Sequence, residues 1–312
     1  MHTRKIQLIA GTTYTISLPK DWITKNDLRE KDDLNIYEND DRTLLITSRD
    51  KAKQVSDSIS INIDKYVENV DHILFSLYYM GIENITLFSK DELTKTTRLR
   101  IRKSLTYMSG TEISYEDTKK ITIKVLLDRS KVNLFQILYR INLILRSSIT
   151  NFITTIDYEE LRLNENEIDR LYHLITKTIS ISLVDSAVLK TSGIKNLSLI
   201  PSLVLLGKRL ENIGDNLYQM ALYSKNSGKG IRVKDIIFEF MKENLNTSLN
   251  HLLKKSSEMY TKCDENKYKN IYLHIDNISD RTVQNYVEDV IRYLRDIEDE
   301  IVNISLLKGV LS

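Results

Sequence analysis

The sequence predicts a multidomain, mainly α-helical protein: a small β unit over residues 1–50, a small α/β unit over 56–128, and a bundle built from two three-helix repeats over 133–228 and 231–312. Three observations carry this. Apolar residues alternate with polar ones through the first fifty positions. Strand and helix periods then take turns up to about residue 128. Beyond Asn133 the apolar spacing is three and four almost to the end, and its pattern occurs twice.

Composition sets the outer bounds. Of 312 residues, 41% are hydrophobic and 28% charged, which suits several packed cores and excludes a disordered chain. The single cysteine, Cys263, has no internal disulfide partner. The opening Met1-His2-Thr3-Arg4-Lys5-Ile6 lacks the apolar stretch of a signal peptide, and no apolar run approaches the ~18 residues of a membrane span. A soluble, cytoplasmic protein without membrane insertion is expected. The formal charge of +2 is too small to draw nucleic acid by itself, so any DNA contact needs a local basic surface or an oligomer.

In the first unit, Ile6, Leu8 and Ala10, then Tyr14, Ile16 and Leu18, then Leu34 and Ile36, and finally Leu44 and Ile46 follow the period of two that places alternate side chains on one face of a strand. Pro19 opens one helical turn through Ile23, and Asn39-Asp40-Asp41 marks a hairpin turn. So small a β unit buries little on its own, and pairing with a second copy is the natural way to complete a core.

The runs Arg4-Lys5-Ile6-Gln7, Gly11-Thr12-Thr13-Tyr14-Thr15-Ile16-Ser17-Leu18-Pro19-Lys20-Asp21-Trp22 and Leu34-Asn35-Ile36-Tyr37 resemble an AbrB/SpoVT-type domain. That resemblance implies a swapped-hairpin homodimer that binds DNA, with Arg4, Lys5, Lys20 and Lys25 as the contact candidates. Charge argues the other way. Residues 1–50 hold eight Lys or Arg against nine Asp or Glu, without the basic excess that phosphate contact calls for. The alternative is a unit that only pairs chains.

From Ser56 the pattern reads strand, helix, strand, helix, strand, strand. Ile59, Ile61 and Ile63 alternate; Val67, Val70, Ile73, Leu74 and Leu77 take helical spacing up to Gly81; Ile85–Phe88 is a second strand. Ser89-Lys90-Asp91-Glu92 has capping-box spacing and predicts a helix from there to about Met108. Ile113 and Tyr115, then Ile121, Ile123 and Val125, supply the last strands, so a two-layer α/β unit is expected. Lys95, Arg98 and Arg102 form a basic stripe that either faces an acidic partner or is simply solvated.

The second half carries more chemistry. Helices are predicted near 133–160, 162–192, 200–226, 232–262, 265–278 and 281–309. Leu203, Leu206, Leu210, Ile213, Leu217 and Met220 form the seam of a helix packed along its length. Leu210, Ile213 and Asp215 recur 84 residues later as Leu294, Ile297 and Asp299, and Leu145, Ile149, Phe152 and Ile153 recur 100 residues later as Leu245, Leu249, Leu252 and Leu253. The unequal offsets imply a shorter connection in the second copy, and Gly228-Lys229-Gly230 separates the copies.

Two carboxylate pairs sit four residues apart on helices: Glu165 with Asp169, and Glu211 with Asp215. Like charges so placed repel by roughly 0.2–0.5 kcal/mol unless a cation bridges them. Rotation by about 100° per residue turns Glu211 and Asp215 away from the Leu210–Leu217 seam, which predicts an ion on the outside of the bundle. Oxygen donors suit magnesium, manganese, calcium or iron, and zinc if His173 joins them. The bland alternative is that the carboxylates only face solvent.

Glu165 to Asp169 followed by Arg170-Leu171-Tyr172, and Arg209-Leu210-Glu211-Asn212-Ile213-Gly214-Asp215-Asn216, are similar to the metal-binding signature of the PhoU (phosphate-uptake regulator) family over residues 133–309. The resemblance implies iron, zinc, magnesium or manganese at Glu165, Asp169, Glu211 and Asp215, and a role in regulating phosphate uptake or phosphate-responsive genes. In the second copy Lys269 and Arg295 stand where Asp169 and Glu211 stand in the first, leaving Glu265 and Asp299 as weaker ligands. One competent site is expected, in the first repeat.

No histidine pair at zinc spacing, phosphate-binding glycine loop or nucleophile elbow occurs, so an enzyme is not expected. Two readings stay open: a dimeric DNA-binding regulator, or an adaptor that docks on a phosphate ABC-transporter ATPase, a transporter of another ion, or a sensor kinase.

Overall fold

A computed structural model describes residues 3–38, 43–47, 58–194, 196–254 and 258–311. It divides into two compact units, residues 1–54 and 55–312. The expected turn at Asn39-Asp40-Asp41 and the residues from Ser56 to Asp57 lie outside the described residues.

In the first unit β1 (Gln7–Ile9) pairs antiparallel with β2 (Thr13–Thr15). Ala10 and Gly11 turn the chain between them, both at positive φ, the backbone twist that matches a tight hairpin. Pro19 caps α1 (Lys20–Lys25), and β3 (Asn35–Glu38) pairs antiparallel with β4 (Leu44–Thr47). The two hairpins are separate two-stranded sheets. Among the described residues of this unit no hydrophobic side chain is buried, and Ile6 (70% exposed), Tyr14 (73%), Ile36 (63%) and Leu44 (66%) lie open.

The second unit begins with the α/β layer pair. β5 (Ser58–Asn62), α2 (Val70–Tyr79), β6 (Asn84–Phe88), α3 (Lys95–Thr106), β7 (Thr111–Glu116) and β8 (Lys120–Val125) follow the expected order. The sheet runs β5-β6-β8-β7, with β5 parallel to β6 and the remaining pairs antiparallel. Alternation explains its buried face: Ile85, Leu87, Ile121 and Ile123 point into one core with Leu74 and Ile101 from the helices. The capping box expected at Ser89 is not used. Ser89 Oγ closes a short turn by accepting from Asp91 N, and Thr94 caps α3 instead, accepting from Thr97 N. Of the basic stripe of α3, Lys95 and Arg102 are exposed, and its two arginines are paired within the α/β unit. Arg98 and Arg102 both grip Glu116, and Arg98 also donates to the Asp117 carbonyl.

The bundle comprises α4 (Leu134–Ile153), α5 (Tyr158–Ser182), α6 (Ser186–Thr191), α7 (Ile200–Ser227), α8 (Asp235–Leu253), α9 (Glu265–Ile275) and α10 (Arg281–Leu311). Asn133, Asp157 and Asp185 cap α4, α5 and α6 through their side-chain oxygens. The Asp157 cap ends the first predicted helix early, and the Asp185 cap splits the second. The second copy is shorter in the connection, as expected, since residues 276–280 join α9 to α10 where residues 183–199, with α6 among them, join α5 to α7; α9 is shorter too, with 11 residues where α5 has 25. α7 packs along α10 and α5, and α4 along α8. Leu145, Ile149, Leu206, Leu210, Leu245 and Leu294 are all buried in one core. No helix among the described residues is long and apolar enough to cross a membrane.

Candidate metal centre

The centre of the α5–α7 seam is set by two glycines. A Cβ on Gly214 would lie 2.9 Å from Ile168 Cδ1, and one on Gly207 would lie 3.2 Å from Ile175 Cγ2. Both pairs are seven residues apart, so two large side chains of α5 seat into two gaps on α7. This close approach brings α7 carboxylates beside those of α5. Glu165, Asp169 and Asp215 each present one oxygen within 4.8 Å of the other two.

The seam also corrects two expectations. α7 buries two faces, one on α10 and one on α5, and rotation away from the Leu210–Leu217 seam therefore turns Glu211 into the second interface. It is only 9% exposed instead of lying on the outside of the bundle. Nor does it join the three. Lys208, one turn earlier, donates to both of its oxygens at 2.7 and 2.5 Å.

Burial and mutual repulsion push this group toward its protonated form. Asp169 is raised from 3.8 to about 7, first by burial and then by the charges of Glu165, Asp215 and Glu211. Glu165 is raised by burial and by Asp215 and Glu211, while burial raises Glu211 and Asp215. Glu165, Asp169 and Asp215, unlike Glu211 with its Lys208, have no ion-pair partner among the described residues, and that leaves the cluster short of a counter-ion. The three clustered groups offer oxygen donors only, which fits a hard divalent cation. His173 does not supply a nitrogen to them. Its Nδ1 is hydrogen-bonded to the Tyr79 hydroxyl and its ring stacks on Phe75 at 4.1 Å. Burial, and then Lys208, lower its pKa to about 4 and keep it neutral.

The weaker candidates each have a cation of their own. Glu265 is paired with Arg295 and Asp299 with Lys262, while Asp296 meets Arg209 at 2.9 Å. Arg295, which replaces an acid in the second copy, thus neutralises Glu265, while Asp299 is met by Lys262. Sequence reasoning also passed over Glu298, a 1% exposed carboxylate that accepts from Tyr260 and Tyr268 hydroxyls and from Cys263 N. Its signal was legible: it stands in the row Ile291, Leu294, Glu298, Ile301, where a polar residue interrupts a buried stripe. Tyr107, whose hydroxyl donates to Asn166 Oδ1 at 3.2 Å beside the cluster, gave no such signal.

In the first unit Arg4, Lys5, Lys20 and Lys25 are all exposed, the first two ahead of β1 and the other two at opposite ends of α1. Residues 7–54 match the family described as antidote-toxin recognition MazE, bacterial antitoxin. The N-terminal unit is AbrB-like. This makes a regulatory or DNA-binding role consistent with the first unit. Compared with curated proteins and with solved structures, the chain has no match. Nothing in these comparisons shows the PhoU family.

Proposed function

We propose that the chain is a dimeric, non-enzymatic regulator in which the AbrB-like unit pairs two copies and contacts promoter DNA, while the bundle holds a divalent cation and reports on phosphate supply. The observation that carries the dimer is the absence of a buried apolar side chain among the described residues of the first unit. Side chains such as Ile36 and Leu44 find cover when a second copy interleaves its hairpins. Arg4, Lys5, Lys20 and Lys25 are the exposed cations this reading assigns to DNA. Glu165, Asp169 and Asp215 are the assigned ligands, with Glu211 joining when a cation displaces Lys208. The link to phosphate rests on the motif resemblance of the bundle.

Fluorescence anisotropy tests the first part, using duplexes from phosphate-transport promoters at two salt concentrations with random competitor. Specific binding that survives competitor and is lost in a Lys5→Ala, Lys20→Ala variant supports direct regulation. Binding no better than random refutes it. The near-neutral charge of residues 1–50 favours a second reading, in which the first unit only pairs chains and the bundle docks on a transporter ATPase or sensor kinase.

A further inference from the structure

The seam between α4 and α8 carries a polar row at its middle. Phe152 stacks on Phe238 at 5.2 Å, and nearly two turns back along α4 Arg146 Nη1 donates to Asn246 Oδ1 at 2.9 Å. The same oxygen accepts from Asn250 Nδ2 at 3.0 Å. Asn142 lies one turn before Arg146 on the same face of α4. It is 0% exposed, and among the described residues neither its amide nitrogen nor its amide oxygen has a hydrogen-bond partner. Arg146 Nε is likewise buried without a partner, and no carboxylate pairs with this guanidinium among the described residues. Asn151 and Ser148, buried on the same helix, are both satisfied: Asn151 Oδ1 accepts from Asp157 N and Ser148 Oγ from Asn164 Nδ2. Buried polar groups are bonded as a rule, because nothing else offsets their loss of water, so three orphaned atoms within one helical turn call for an occupant. The internal repeat does not impose them, since Lys242 and Asn246 stand 100 positions after Asn142 and Arg146.

We propose that Asn142 and Arg146 form a site for a compact oxyanion that keeps a proton, of the hydrogen phosphate or bicarbonate class. The amide of Asn142 sets a donor beside an acceptor, which matches the oxygen and hydroxyl of an acid group in a ring of two hydrogen bonds, and a further anion oxygen accepts from Arg146 Nε. A direct bond from Arg146 to Asn142 Oδ1 would satisfy two of the three atoms and strand Asn142 Nδ2. A water would meet the atoms and leave the guanidinium charge unmatched. Sulfate, which carries no proton at neutral pH, would set an oxygen against Asn142 Oδ1. Arg146 and Asn250, both half-buried, mark the way in. The site is independent of the metal and DNA readings above. Thermal unfolding of the full-length protein tests it at neutral pH, with sodium phosphate, bicarbonate, sulfate or chloride at equal ionic strength in the millimolar range. Phosphate or bicarbonate raises Tm by several degrees, the larger shift identifying the source, while sulfate and chloride leave it nearly unchanged. Asn142→Leu, close in volume and without an orphaned amide, folds and loses the shift, as does Arg146→Gln at the rim. Equal shifts with sulfate and phosphate are a general salt effect and overturn the proposal, as does a response retained in both variants or the absence of a shift with either protonated anion.

Discussion

Replacing Asp169 by asparagine should stabilise the cation-free protein, and increasingly so as the pH rises. Asp169 is held at about 7 in the folded chain against 3.8 when free. The folded state therefore binds this proton more tightly than the unfolded state. Its contribution is complete below the unfolded value and is lost as pH climbs through about 7. At about 1.4 kcal/mol per unit the full difference approaches roughly 4 kcal/mol, and water reaching a partly open cluster brings the expected effect to about 2 kcal/mol. Asparagine has no proton to lose. In thermal unfolding followed by circular dichroism, Asp169→Asn should match wild type only below about pH 4, gain on it steadily above that, and exceed its Tm by roughly 4–8 °C at about pH 8. Manganese should close that gap by stabilising the wild type only. A variant that is no more stable than wild type at the higher pH, or that shares its pH slope, refutes the view that the cluster is short of a counter-ion.

Three further outcomes follow from the packing. Glu298→Leu should cost about 3 kcal/mol or more in denaturant unfolding, since it strands two tyrosine hydroxyls and a backbone N–H, whereas Glu265→Gln, at an exposed ion pair, should change stability by less than about 0.5 kcal/mol. Gly81→Ala should be the more damaging of two left-handed glycine substitutions. Its Cβ would meet Ile181 Cδ1 at 3.0 Å, while a Cβ on Gly228 meets nothing within 4 Å, so only Gly81→Ala should loosen the α/β layer pair in limited proteolysis. Deleting residues 1–54 should halve the solution mass measured by light scattering, and an undiminished dimer would move the interface to the helices.

The sequence by itself determined the order and type of the elements. Period-two and period-3.6 patterns are local properties of the chain, as Ile85–Leu87 in β6 and Leu203–Met220 in α7 illustrate. It also placed the acidic pairs on single helices, because spacing of four is enough for that. Helix ends were less legible: the caps at Asp157 and Asp185 are single side chains whose hydrogen bonds outweigh a continuing apolar pattern. Only the tertiary structure decided which carboxylates meet. Asp215 reaches Glu165 and Asp169 because Gly214 lets α7 close on Ile168, whereas Glu211, on the same helix, is held by Lys208. The same holds for the residues that tie the α/β layer pair to α5. Tyr107 and Asn166 are 59 positions apart in the chain, and no periodicity connects them until two separately packed cores are brought face to face.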